Sequence, residues 1–290
     1  MRIGGSNVAG ICGISPWSTP LDEFMKITGQ VKIPDNPAME WGRRLEPVVR
    51  QKYQEATGRH VFFNQNPNKY GVEFQHPILP FIVGSLDGIS ENHQESRVLE
   101  IKTARTRDAW LDGVPEYYAC QVQHYMACTG LNMADVAVLF GASEFDIFEV
   151  ARDDELISIL LKIEVDFWNK HVVPMVPPDC TTPEDRNTRW PRSIQRAVEA
   201  DGNTARLCSD LKAIKVEIAA IEANKAALES AIKDFLQDND TLMVSGKPAV
   251  TWKQAKDSQG FDKDAFMKEH PDLYKNYLTT RTGSRRFLLK

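Results

Sequence analysis

The 290-residue chain is 42% hydrophobic and 26% charged with a formal net charge of −5, which excludes a disordered chain and argues against a surface basic on every side. No apolar run reaches the length that crosses a bilayer, and the start MRIGGSNVAGICGISPW shows no h-region followed by a cleavage site. Cysteines 12, 120, 128, 180 and 208 are odd in number and widely spaced, forming neither a paired disulfide framework nor a compact zinc motif, so the expected setting is a reducing cytoplasm.

The first thirty residues carry IGGSNVAGICGIS, whose glycines permit a close turn but not at the spacing of a Walker loop. Arg2 and Ser6 are candidate phosphate contacts there, although packing accounts for most of the segment. TPLDEFMKITG reads as a short helix. From Pro37, MEWGRRLEPVVRQKYQEATG reads as a helix with Leu45, Val48, Val49 and Ala56 inward and Gly58 as its stop. Proline is tolerated near a helix start, so Pro47 places Glu46 at that start.

Two extended segments follow. In PFIVGSLDGI, residues Phe81, Val83, Ser85, Asp87 and Ile89 share strand parity, so Ser85 and Asp87 are expected on one side. RVLEIKTA puts Val98, Glu100 and Lys102 on one face and Leu99, Ile101 and Thr103 on the other. EYYACQVQHYMACTG is a helix ending near Gly130, with Tyr118, Gln121 and Tyr125 on one stripe and Gln123 pointing elsewhere. ADVAVLF and EFDIFEV are adjacent strands, and ELISILLKIEVDFWNKHV is a core-packing helix.

The proline-rich VVPMVPPDCTTPEDR marks a boundary. The expected division is 1–178, a connecting segment 179–202, a long helix 203–240 and a small accessory region 241–290. Leu207, Leu211, Ile214, Ile218, Ile221, Lys225, Leu228, Ile232 and Phe235 follow alternating steps of four and three, a heptad seam with one polar exception. It can pair with another chain or fold back on its own. VSGKPAVTWKQ and GSRRFLLK are expected to make a small sheet around one further helix, where Arg281, Arg285 and Arg286 form a basic edge able to touch phosphates.

Asp87 and Glu100 are hard-metal ligands in type, the carbonyl of Ile101 can add an oxygen, and Lys102 can orient water, stabilise hydroxide or contact a phosphate. Such a set suits phosphodiester hydrolysis. The EIK triplet alone is weak evidence, since charges two residues apart are common on solvated strands, and helix phase alone does not bring Glu46 to the two strands.

Taken in order, RIGGSNVAGICGISPW, WGRRLE, IVGSLDG, LEIKTA and YYACQVQHYMACTG resemble the YqaJ-like viral recombinase family, a relative of the phage lambda exonuclease within the PD-(D/E)XK nucleases. The resemblance covers about residues 2–170. It implies an α/β fold with a restriction-endonuclease-like core, a mixed central sheet flanked by helices; the long C-terminal helix and a small α+β accessory region lie outside it. It also implies Mg2+ or Mn2+ held by Glu46, Asp87 and Glu100, water activation by Lys102, an active-site glutamine at Gln121, and a 5′ phosphate pocket at Arg2, Ser6 and Ser85 with Tyr118 nearby. The activity implied is 5′ to 3′ digestion of double-stranded DNA ends, exposing a 3′ strand for recombination in a bacterial or phage-infected cytoplasm. A homo-oligomer and a single-strand annealing partner are further expectations. Two alternatives stay open: an endonuclease or repair nuclease, and a catalytically inactive DNA-binding or assembly protein.

Overall fold

Backbone hydrogen-bonding capacity along the apolar segments is satisfied in three sheets, seen in a computed structural model that describes residues 1–32, 34–64, 71–141, 143–280 and 283–289. The chain divides into two compact units, residues 1–189 and 190–290. The first unit opens with strand β1 (Ile3–Gly4) and helices α1 (Gly5–Ile11), α2 (Pro20–Ile27) and α3 (Pro37–Thr57). Strands β2 (His60–Phe62), β3 (Val72–Gln75), β4 (Ile82–Leu86), β5 (Gly88–Glu91) and β6 (Ser96–Ala104) follow. Helix α4 (Glu116–Thr129), strands β7 (Met133–Phe140) and β8 (Glu144–Ala151), and helices α5 (Asp154–Phe167) and α6 (Pro183–Arg189) complete it.

The larger sheet has the order β2-β5-β6-β7-β8, with β6 and β7 parallel and the other neighbours antiparallel. A parallel pair requires a crossover, and α4 supplies it. The period-two pattern of β6 explains how both faces are covered. Leu99 and Ile101 pack with Val49 and Tyr53 of α3, while Val98 packs with Val122, Tyr125 and Met126 of α4. Each such side chain, fully buried, contributes about 1.5–3 kcal/mol. Strand β7, MADVAVLF, is apolar almost throughout because helices lie over both faces. The result is the expected mixed central sheet flanked by helices.

A smaller sheet, β1-β4-β3, sits beside it. Here one expectation fails: PFIVGSLDGI is not one strand. It breaks at Asp87, where β4 of the smaller sheet ends and β5 of the larger begins. Ser85 is the one exposed residue of an otherwise buried β4, opposite Glu73, so strand parity does not carry it to the side of Asp87.

Helix α3 also departs from the sequence reading. Asn36 caps it through Met39 N–H at 2.9 Å and Pro37 occupies its first turn, so the helix begins well before Pro47. Glu46 therefore sits mid-helix, beside a proline that withdraws one N–H from the ladder. The inward face is Val49, Arg50 and Tyr53; Val48 and Ala56 are exposed. Arg50 points inward because it has Glu46 as an ion-pair partner. Below it, the Tyr53 hydroxyl donates to Asp135 and meets the Ser90 hydroxyl at 2.8 Å. Arg97 donates to Asp135 at 2.9 Å, completing a buried polar network that joins α3, β5, β6 and β7. Gly58 ends the helix at φ 68°, as expected.

The early glycines form helix α1 rather than a turn. A Cβ on Gly5 would enter the ring of buried Tyr125, so glycine there permits α1 and α4 to approach closely. Gly5→Ala is expected to destabilise the chain by about 1–3 kcal/mol through overpacking, read as a lower urea midpoint at unchanged slope; an unchanged midpoint would show that the ring moves freely. The proline-rich segment expected as a boundary runs into α6, whose Asp185 accepts from Thr19 Oγ1 at 2.7 Å and holds α6 to the start of α2.

The second unit contains the long helix α7 (Gly202–Leu236), strands β9 (Thr241–Val244) and β10 (Lys247–Thr251), and two short helices, α8 (Lys263–Glu269) and α9 (Pro271–Asn276). The hairpin turns at Ser245 and Gly246, both with positive φ (51° and 77°), the conformation a two-residue hairpin loop favours. Along α7, Leu207, Ile214, Ile221 and Leu228 are exposed. Two helices rather than one follow the hairpin, and residues 283–289 join no strand. Arg286 is exposed and Arg285 donates to the Trp190 carbonyl at 3.3 Å; Arg281 lies outside the described residues.

Candidate active site

A cavity of about 600 Å³ opens where the sheet break meets α3 and α4. Its floor is Asp87, Glu100, Ile101 and Lys102; Met39, Arg43 and Glu46 of α3 form one wall, and Trp17 and Tyr118 another. The break between β4 and β5 turns Asp87 toward β6, where its Oδ2 accepts the Ile101 N–H at 2.7 Å. Parity along β6 then places Glu100 and Lys102 together on the α4 side.

Glu100 is 3% exposed. Its Oε1 accepts from Lys102 Nζ at 2.5 Å and from Gln121 Nε2 at 2.8 Å. Burial, reinforced by the Asp87 charge and opposed by Lys102, pushes its pKa up to about 8. Burial also raises Asp87, against the pull of Lys102. Glu100 Oε2 is buried without a hydrogen-bond partner among the described residues. Burial alone would lower Lys102, but Glu100 and Asp87 outweigh it and the ammonium is held above its ordinary range. Its Nζ also donates to Gln121 Oε1 at 3.1 Å and lies 4.6 Å from the centre of the Tyr118 ring. Gln121 thus ties Glu100 to Lys102, and its Nε2 reaches the Tyr125 hydroxyl at 2.8 Å, one turn along the expected stripe. Gln123 points elsewhere, donating to the Ala151 carbonyl at 2.7 Å.

Glu46 reaches the same cavity but pairs with Arg50 one turn along α3. Burial and then Asp87 raise its pKa, with Arg50 opposing. Among the described residues, no three His, Cys, Asp or Glu side chains are gathered into a ready cation cage. The donor set nevertheless suits a hard divalent cation: all its side-chain donors are carboxylate oxygens, Asp87 raises the pKa of both Glu46 and Glu100, and one buried oxygen lacks a partner among the described residues.

Of the expected phosphate contacts, Tyr118 lines the cavity; Arg2, Ser6 and Ser85 do not. Arg2 bonds to Glu73 of β3 at 2.5 Å, Ser85 faces that same strand position, and Ser6 is exposed in the first turn of α1. Sequence reasoning missed Arg50, Arg43 and Trp17. Arg50 was readable as a partner four residues beyond Glu46, whereas nothing local placed Trp17 against the acids.

Residues 1–132 match the model of the YqaJ-like viral recombinase domain. This segment of the chain is similar to that domain. The match takes in all five of Glu46, Asp87, Glu100, Lys102 and Gln121, and it stops just past α4, whereas the resemblance in the motifs runs to about residue 170. Beyond the matched segment, similarity extends over the full length: the chain is 29% identical over 300 residues to the uncharacterized protein YqaJ of Bacillus subtilis (strain 168), spanning 99% of this chain and 91% of that one. Among solved structures, the alkaline exonuclease of Laribacter hongkongensis aligns at 21% identity over 60% of this chain and 89% of its own, with a TM-score of 0.47. A phage-related exonuclease from Haemophilus somnus 129PT aligns at 14% identity over 60% and 96%, with a TM-score of 0.42.

Proposed function

We propose that the cavity is the hydrolytic centre of a metal-dependent deoxyribonuclease that digests linear double-stranded DNA from its 5′ ends and leaves 3′ single-stranded overhangs. The observation carrying this reading is the placement of a half-buried Asp87 and a buried Glu100 beside Lys102 on the floor of an open cavity, with one Glu100 oxygen left unpartnered among the described residues. The similarity to the YqaJ-like domain supports the same reading.

In this account Glu46, Asp87, Glu100 and the carbonyl of Ile101 would hold Mg2+ or Mn2+, which when bound supplies an activated water and neutralises charge on phosphate oxygens. Lys102, held charged by its carboxylate neighbours, orients that water or stabilises negative charge rather than accepting a proton. Gln121 keeps Glu100 and Lys102 in register. Glu46 must exchange Arg50 for its new role, which frees a guanidinium on α3 for DNA phosphate. Tyr118 contacts the strand beside Lys102, while Arg2, Ser6 and Ser85 would meet phosphates on the surface outside the cavity. Contacts of this kind bind without reading base sequence. Attack by water leaves a 3′ hydroxyl and a 5′ phosphate. The exposed strand suits a single-strand annealing protein in the cytoplasm, and a homo-oligomer would keep DNA engaged between cuts.

Linear duplexes labelled separately at each 5′ and 3′ end, together with a closed circle, test the mode of attack. Progressive loss from the 5′ ends and an intact circle are expected. Cuts within the circle would replace this reading with an endonuclease, and loss from the 3′ ends would reverse the polarity.

A further inference from the structure

We propose that Trp17 is a stacking platform for an unpaired nucleobase next to the scissile phosphate, an inference that rests on the nuclease reading and adds the element that holds the strand. Trp17 is 68% exposed, yet it lines the same cavity as Glu46, Asp87, Glu100 and Lys102. Its indole packs edge-on against Tyr117, with ring centres 5.0 Å apart at 81°, and lies 6.0 Å from Tyr118. Protein backs it on one side while most of its surface is left for something else.

The segment carrying Trp17 is fixed in place. Its N–H donates to Ser15 Oγ at 3.2 Å and the Ser15 and Ser18 hydroxyls meet at 3.1 Å. Thr19, two residues on, caps α2 and donates to Asp185 at 2.7 Å. A rigid aromatic loses little conformational freedom when a partner binds, which favours affinity. Across the cavity, Met39 and Arg43 of α3 supply an apolar surface and a cation, and Lys102 lies on the floor. A base between Trp17 and α3 would leave its phosphate toward the acids.

Size and chemistry select this occupant. About 600 Å³ falls within the range of about 300–1,000 Å³ typical of small-ligand pockets, suited to a short piece of one strand rather than a paired duplex. Every base offers a π face, so stacking tolerates any sequence, as successive cuts along a strand require. The terminal base pair must therefore open before its phosphate reaches Asp87 and Glu100.

The test uses a linear duplex with 2-aminopurine at the first, second or third position from the 5′ end, titrated with the full chain in chelator so that binding is read without cutting. Wild-type protein is expected to quench the probe at one of these positions. Trp17→Ala should lose most of that quench and bind roughly tenfold more weakly or worse, and Trp17→Phe should retain most of both. Quench and affinity unchanged in Trp17→Ala overturn the proposal, as does wild-type binding without quench at any position. Cleavage is read separately with Mg2+ or Mn2+. Hydrolysis by a protein whose binding ignores Trp17 defeats stacking alone; Trp17-dependent quench without hydrolysis supports stacking and defeats the nuclease reading.

Discussion

Glu100→Gln is expected to lower metal-dependent DNA hydrolysis by about a thousandfold or more while leaving DNA binding in chelator nearly intact. The change keeps the shape of the side chain and an oxygen that can accept from Lys102. It removes the negative charge that attracts a cation and the ionisable oxygen that has no protein partner. Losing one preorganised electrostatic group at a reacting centre costs about 10²–10³ in rate, and this group also contributes to holding the ion. The pH dependence follows from the same burial. With its pKa pushed up to about 8, Glu100 holds a proton that competes with a cation, so ion affinity in the wild type should strengthen as pH rises through about 8 and fall below it. Calorimetric titration with Mn2+ at several pH values reads this directly. Affinity flat with pH, or Glu100→Gln protein that hydrolyses DNA at the wild-type rate, would remove Glu100 from the site.

The largest effect on stability is expected at a pair remote from the acids. Glu164→Ala should destabilise the chain by about 3–5 kcal/mol, because removing one member of a buried ion pair leaves the other charge uncompensated. His124 Nδ1 lies 3.1 Å from both Glu164 oxygens and Nε2 lies 2.9 Å from the Val83 carbonyl. Both ring nitrogens face acceptors, so the bonded form is the imidazolium. Burial alone would lower its pKa; Glu164 and the nearby Cys128 outweigh this and push it up to about 10. A folded pKa above the ordinary 6.5 means that His124 contributes stability fully below pH 6.5 and loses it as pH rises through 10. The wild-type urea midpoint should therefore fall between pH 7 and pH 10, and the Glu164→Ala midpoint should be low already at pH 6 with a shallower slope. Equal midpoints at pH 6 would show that the pair does not hold α4, α5 and β4 together.

What the sequence made legible was periodic or punctuated. Alternation in RVLEIKTA identified both faces of β6, and the spacing of Tyr118, Gln121 and Tyr125 identified a stripe of α4 that the hydrogen bond from Gln121 to Tyr125 matches. Gly58 and Gly130 ended their helices in the left-handed conformation, at φ 68° and 74°. The sheet break at Asp87 was hidden because its apolar alternation continues across the junction, and only pairing with β3 or β6 decides which sheet each half joins. Helix α3 misled for a different reason: Pro47 resembles a helix start, but the Asn36 cap and Pro37 start the helix earlier. Arg50 and Asp135 carry no local signal of burial, and each enters the core with a charged partner. Trp17 reaches the acids through the packing of α1 and α4, which no local pattern encodes.

Turnover is the most direct test of the central claim. Full-length protein and an Asp87→Asn variant are incubated with linear duplex DNA in Mg2+, Mn2+ or chelator, and release of free nucleotides is followed over time. The account predicts ion-dependent release by the wild type, none in chelator and at least about a hundredfold less from Asp87→Asn. No release by the wild type with either ion, under conditions in which it binds the duplex, would contradict it.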